Sequence, residues 1–271
     1  MKIIALAIFL AASGTILALA IPIRTTLPDT VHLEELTWVE VDEALRRGVR
    51  TVIVPTGGIE QNGPHMVLGK HNYIVHYAAE RIARNLGDAL VAPVVTYVPE
   101  GSVDPPSGHM SFAGTISVPD TVFANILEFT ARSLRAHGFE TICFIGDSGG
   151  NQETQEQVAR RLNAEWRGDD IRVIHIGNYY AANGQVDWLL TQEETNVSIG
   201  DHAGIRDTSE LLVVFPAGIR SDMVARRGGR FLRPTGVSGD PTRASAERGK
   251  KLLSLKIEAA LRQIRAEIGG K

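Results

Sequence analysis

Short runs that are apolar on every residue alternate along this chain with stretches whose apolar positions recur every three or four residues. The runs at 51–55, 90–95, 141–146 and 171–176 are β-branched and apolar on both faces, as expected of parallel strands covered on both sides. The periodic stretches predict helices over 72–86, 119–137, 150–166 and 242–267, with Pro119-Asp120 as a start signal and His137-Gly138 as a stop. The alternation predicts an α/β class: a layered βαβ-type domain with a mostly parallel central sheet flanked by helices. Two segments, 97–115 and 177–204, are long and rich in Gly, Pro, Asn and Asp, so they are expected to be irregular and either functional or mobile. The second carries Tyr179, Tyr180 and Trp188, which could line or cover a pocket.

The first residues follow a different pattern. Lys2 precedes an apolar stretch from Ile3 to Leu19, and Ala18-Leu19-Ala20 fits a small-x-small cleavage site. Residues 1–20 are read as a signal peptide, with an uncleaved anchor as the alternative, since the run is close to the ~20 residues that span a bilayer. That leaves 21–271 as a single α/β domain, periplasmic or secreted, with no membrane contact beyond the signal segment. The 271 residues are 44% hydrophobic with a net charge of -3, enough for a sizeable core and without the basic surface of a nucleic-acid partner. The one cysteine, Cys143, lies inside an apolar run and is read as a buried structural thiol.

Candidate chemistry concentrates after the predicted strands. Glu60-Gln-Asn-Gly-Pro-His-Met-Val-Leu-Gly-Lys-His71 places ligand-type side chains in a Gly/Pro-rich loop behind the run 51–55. In open α/β sheets, that is where sites are built. Gly146-Asp-Ser-Gly-Gly150 repeats the string around the nucleophile of trypsin-like proteases, but here it joins a parallel strand to a helix, so that match is set aside. A serine at such a turn, before a helix N-terminus, still has the setting of a nucleophile elbow.

Taken together, Pro55 to His65, Gly108 to Ile116, Gly146 to Asn151, Asp201 to Ser209 and the turn Gly236-Val-Ser-Gly-Asp-Pro241 resemble the creatininase (creatinine amidohydrolase) family, in the family's order. The resemblance implies an α/β fold, hydrolysis of C–N bonds in cyclic or linear amides, one or two divalent metal ions, and assembly as a homo-oligomer, typically a hexamer. By the same resemblance Glu60 matches the first metal ligand and His202 the catalytic or substrate-polarising histidine. Asn62 and Ser148 stand where the family has ligand histidines, His71 where it has a bridging Asp, and Asp207 where it has a Glu.

These departures carry chemistry. An imidazole cannot bridge two cations as a carboxylate does, and Asn62 and Ser148 are poor zinc ligands. The expectation is therefore a centre with one zinc, manganese or iron ion per chain held by Glu60, His71 and Asp147. His202 is expected to work as acid–base group, oriented by Asp207. Asn62, His65, Lys70, His109 and Trp188 are the candidate contacts to a small amide or lactam other than creatinine. Two other readings stay open: a family member that binds a small molecule without chemistry, and a metal-free serine hydrolase using Ser148, His202 and Asp207.

Overall fold

The computed structural model describes residues 27–224 and 235–269. The proposed signal segment 1–20 lies outside them. The order of elements is α1 (Trp38–Arg46), β1 (Thr51–Thr56), α2 (Lys70–Leu86), β2 (Ala89–Val91), α3 (Asp120–Ala136), β3 (Thr141–Gly146), α4 (Gln152–Glu165), β4 (Arg172–His175), α5 (Gln185–Thr191), α6 (Asn196–Ile199), α7 (Ile205–Val214), α8 (Ser221–Val224) and α9 (Ala246–Gly269). The four strands form one parallel sheet in the order β2-β1-β3-β4, as the continuous apolar runs predicted.

Alternate residues of the central strands feed two cores. Val52, Val54, Ile142 and Phe144 pack on one face against Phe123 and Leu127 of α3 and Leu162 of α4. Ile53, Cys143 and Ile145 pack on the other face against Val75 and Ala79 of α2 and Leu261 and Ile264 of α9. Cys143 is buried there, and burial pushes its thiol up to about 12, which leaves it unreactive.

The chain winds outward in opposite directions from β1 and β3, so the sheet's switch point lies between them. Their carboxyl ends open the crevice in which such folds hold ligands. The loop carrying Glu60 leaves β1, and Asp147 follows β3. Buried amides tie these ends together: Asn151 Nδ2 donates to Thr56 Oγ1 at 2.8 Å and to the Gly57 carbonyl at 2.9 Å.

Five elements differ from the sequence expectation. α2 begins at Lys70, so Lys70 and His71 sit in its first turn rather than in the loop before it. α1 and α7 were not predicted, because their apolar stripes are short. The segment 177–204 folds into α5 and α6, whose residues Leu189 and Ile199 cover a small core with Ile205 and Leu252.

Candidate functional site

The crevice is a cavity of about 1050 Å³ at the carboxyl end of the sheet. Its floor is a run of alternating acids and bases. His71 Nε2 meets Glu60 Oε1 at 2.7 Å, and His71 Nδ1 meets Asp147 Oδ2 at 2.8 Å. Both partners are carboxylate oxygens, so both ring nitrogens donate and the ring is an imidazolium. Asp147 Oδ1 also accepts from Tyr179 Oη at 2.8 Å and from Lys256 Nζ at 2.7 Å. Lys256 continues to Glu210 Oε2 at 3.0 Å.

Burial is the largest influence on the His71 imidazole and pushes it down, as does the Lys70 charge. The Glu60 charge and hydrogen bonds to both carboxylates outweigh these and hold it up at about 9. Burial also pushes Glu60 and Asp147 upward. The neighbouring His71 and Lys70 charges reverse this at Glu60, and the Lys256 charge with His71 reverses it at Asp147, leaving both carboxyls below the usual range.

A pH dependence follows from His71. A group raised to about 9 from 6.5 contributes stability that is complete below pH 6.5 and disappears as the pH rises through about 9. Chelator-treated protein is expected to lose on the order of 3 kcal/mol of unfolding free energy across that window. The fall should be smaller in His71→Asn. Urea unfolding at pH 6.5 and 9.5 measures it, and equal midpoints would contradict the imidazolium assignment.

Above this floor, three donors converge. Glu60 Oε2 lies 3.1 Å from His109 Nε2, and Glu60 Oε1 lies 3.7 Å from His202 Nδ1. One ligand atom from each of Glu60, His109 and His202 lies within 4.8 Å of the others. Ligands at ~2.1 Å around a tetrahedral ion are spaced about 3.4 Å apart, which these distances bracket. His202 Nε2 donates to the Gln61 carbonyl at 2.8 Å, leaving the Nδ1 lone pair toward Glu60. His109 Nδ1 lies 3.1 Å from Gln61 Nε2, and a cation at His109 Nε2 would require the tautomer with its proton on Nδ1 and the Gln61 amide turned to present its oxygen.

The donor chemistry therefore separates two cases. A two-ion centre at the family positions does not fit: Asn62 and Ser148 replace imidazoles, both His71 nitrogens are occupied, and the Lys256 ammonium already sits on Asp147. A single divalent ion fits Glu60, His109 and His202.

The other expected residues are placed as follows. Asn62 is buried and its amide donates to the carbonyls of Glu60, Val67 and Leu68, holding the loop's shape. His65 bonds Thr208 Oγ1 at 3.0 Å, and burial pushes its ring down to about 4. Trp188 packs against the Leu189, Ile199 and Ile205 cluster and is not among the residues lining the cavity. Ser148 Oγ reaches Glu100 Oε2 at 3.4 Å. Among the described residues, no hydrogen bond links Ser148 to His202 or His202 to Asp207.

Asp207 corrects the expectation that it orients the His202 ring. The Gln61 carbonyl does that. Asp207 Oδ2 instead accepts from the Ala203 amide at 2.6 Å, fixing Ala203 at a φ of 55°. That left-handed conformation costs a non-glycine residue about 1–2 kcal/mol. Asp207 thus sets His202 through the backbone, and pairs with Lys70 at 3.3 Å.

Glu100, Gln61, Lys256 and Glu210 were not anticipated. Lys256 was visible in principle, since it interrupts the apolar stripe Leu252, Leu253, Ala259, Ala260 and Ile264 of α9. Glu100 lies in the irregular segment 97–115, where no periodicity reports burial. It approaches the loop only because residue 58 is glycine: at a φ of 150°, a Cβ there would lie 2.1 Å from Glu100 Oε1. Burial, then the Glu60 charge, pushes the Glu100 carboxyl up to about 9.

The comparisons with known proteins agree with this fold. The family model for creatininase, creatinine amidohydrolase, matches residues 34–264. The chain is 27% identical over 238 residues to a mycofactocin precursor peptide peptidase of Mycobacterium ulcerans, covering 79% of this chain and 84% of the relative. It is 23% identical over 259 residues to a creatinine amidohydrolase of Pseudomonas putida, covering 88% and 97%. A crystal structure of creatininase superposes with a TM-score of 0.70 at 22% identity, covering 89% of this chain and 98% of that one. Similar solved structures include a manganese creatininase and one of Zn-Zn type.

Proposed function

The chain belongs to the creatininase family of C–N bond hydrolases, and we propose that it cleaves a small linear amide or a short peptide with the help of one divalent ion held by Glu60, His109 and His202. The observation that carries this is the convergence of those three donors in the cavity while both nitrogens of His71 are taken by carboxylates. A cavity of about 1050 Å³ is large for creatinine and suits a longer amide. The names of the relatives include both a peptidase and a creatinine amidohydrolase, in keeping with an amide whose neighbours vary.

When bound, such an ion lowers the pKa of a water and polarises the amide carbonyl. The chain's own residues prepare the place. His71 holds one proton on each ring nitrogen and so keeps Glu60 ionised and fixed through Oε1. The Gln61 carbonyl keeps the His202 proton on Nε2. Asp207 locks the backbone beside His202. Burial of Glu60 at 2% exposure limits bulk water around the carboxylate.

His202→Ala is expected to lower kcat/KM by at least about 100-fold, since loss of even a supporting residue costs 10–100-fold in metal sites. A panel of short acyl-peptides, linear amides and creatinine, assayed with zinc, manganese and iron reloading, tests this. Turnover of a peptide or linear amide that survives His202→Ala would overturn the assignment. Two further readings belong to the same proposal. The chain is exported after cleavage behind Ala20, so extracytoplasmic protein should begin at Ile21 by mass spectrometry, and a full-length cytosolic chain would refute export. The homo-oligomer that the resemblance implies is read by light scattering, with a monomer as the refuting result.

A further inference from the structure

Lys70, Lys256 and Arg206 are the lysine and arginine residues that line the cavity. Two of them are engaged within the protein. Lys70 Nζ pairs with Asp207 Oδ2 at 3.3 Å, and Lys256 Nζ pairs with Asp147 Oδ1 at 2.7 Å and Glu210 Oε2 at 3.0 Å. Arg206 differs: among the described residues, no hydrogen bond or ion pair reaches its guanidinium.

The other half-buried arginines of the described residues show how unusual this is. Arg50, Arg132, Arg135, Arg172 and Arg248 each donate from the side chain to a carboxylate or a backbone carbonyl. A guanidinium carries five N–H donors, and withdrawing it in part from water without returning any of those bonds is unfavourable. Its sequence neighbour does not serve, because Asp207 Oδ2 takes the Ala203 amide and faces Lys70. The Arg206 charge lowers the Asp207 carboxyl and opposes the burial that pushes the Tyr180 hydroxyl up, so the guanidinium lies near both. Arg206 is the second residue of α7, four positions beyond His202, so one loop-to-helix turn carries both this cation and a member of the donor triad.

The fork of a guanidinium matches the two oxygens of a carboxylate. The surrounding charge narrows the choice of anion. Asp104, Asp120 and Asp201 are exposed and line the same cavity, and Asp207 adjoins the guanidinium. A doubly charged phosphate ester would meet repulsion from these acids, whereas a single carboxylate needs only one cation.

We propose that Arg206 is the carboxylate anchor of this site, so that the amide is presented by a short peptide whose free C-terminal carboxylate rests on the Arg206 guanidinium. The anchor deepens the C–N hydrolase reading and rests on it for the choice of a peptide as ligand. It makes peptide acids the preferred substrates and their C-terminal carboxamides poor ones.

Ligand-observed NMR with N-acetyl-alanyl-alanine and its C-terminal carboxamide tests this, on the purified chain and again after chelator treatment, where no ion can hold the carboxylate instead. The wild type is expected to bind the acid about 10- to 100-fold more tightly in both preparations, the worth of a charge-assisted hydrogen bond. Arg206→Met should bring the two ligands to equal affinity. If Arg206→Met does not fold, Arg206→Gln carries the same expectation. Equal affinity of the wild type for the two peptides, no binding of the acid, or an acid preference that survives in a folded Arg206 variant would overturn the anchor. Turnover after zinc or manganese reloading separates the two conclusions. An Arg206-dependent acid preference without cleavage of any peptide supports the anchor and refutes the hydrolase, and equal cleavage of acid and carboxamide does the reverse.

Discussion

Glu60→Ala is expected to abolish turnover and to lower the unfolding free energy by about 3–5 kcal/mol, the usual cost of stranding a buried charge. Glu60 is 2% exposed and faces His71 at 2.7 Å, His109 at 3.1 Å, and Lys70 and His202 at 3.7 Å. Without it, the His71 imidazolium keeps one carboxylate partner and the Lys70 ammonium keeps Asp207 alone. The same truncation removes the one anionic member of the donor triad, which is why stability and chemistry should fail together. Glu60→Gln separates the two effects: it keeps the shape and a hydrogen bond to His71, so it should lose less stability while remaining inactive. Urea unfolding beside a turnover assay measures both. A Glu60→Ala protein within about 1 kcal/mol of wild type would show that the buried charges are not mutually dependent.

Lys256→Met, at the far end of the cavity floor's charge chain, should cost a similar amount, about 3–5 kcal/mol. Its ammonium bonds Asp147 at 2.7 Å and Glu210 at 3.0 Å and lies 4.6 Å from the Tyr179 ring centroid. Methionine fills the space but leaves two carboxyl groups facing each other, and burial already pushes Glu210 upward. Adding Glu210→Gln to Lys256→Met should therefore recover part of the loss, because a neutral amide no longer competes with Asp147 for a cation. Denaturant midpoints of the single and double variants decide it. Equal losses in both would mean that the apolar packing of α9, rather than the charge chain, is what Lys256 supports.

These two residues show where the sequence is readable. The parallel sheet was legible because strands covered on both faces must be apolar throughout, and Thr141 to Gly146 and Thr51 to Thr56 obey that closely. The loop from Glu60 to His71 and the turn after Gly146 were legible as site material for the same topological reason. The partnerships within the site were not. Whether His71 offers a lone pair or two protons depends on which oxygens surround it, and these come from loops 11 and 76 residues away in sequence. Asp207 lies five residues beyond His202, a spacing that suggests a contact between side chains, yet the left-handed Ala203 turns its carboxylate to the backbone instead. Glu100 had no periodic context at all, and its role depends on a glycine forty-two residues earlier.

The departures from the family pattern read together. Imidazole at 71, amide at 62 and hydroxyl at 148 remove ligands, while Lys256 and Lys70 bring permanent positive charge to the same carboxylates. Protein cations thereby occupy the inner part of the site, and among the described residues the donors that converge closely enough to share an ion are Glu60, His109 and His202.

Elemental analysis of the purified chain after reloading with zinc, manganese or iron, beside His109→Ala and Asp147→Asn, tests that arrangement most directly. About one ion per chain is expected, lost in His109→Ala and retained in Asp147→Asn. No ion after reloading, two ions per chain, or one ion that depends on Asp147 and not on His109, would contradict it.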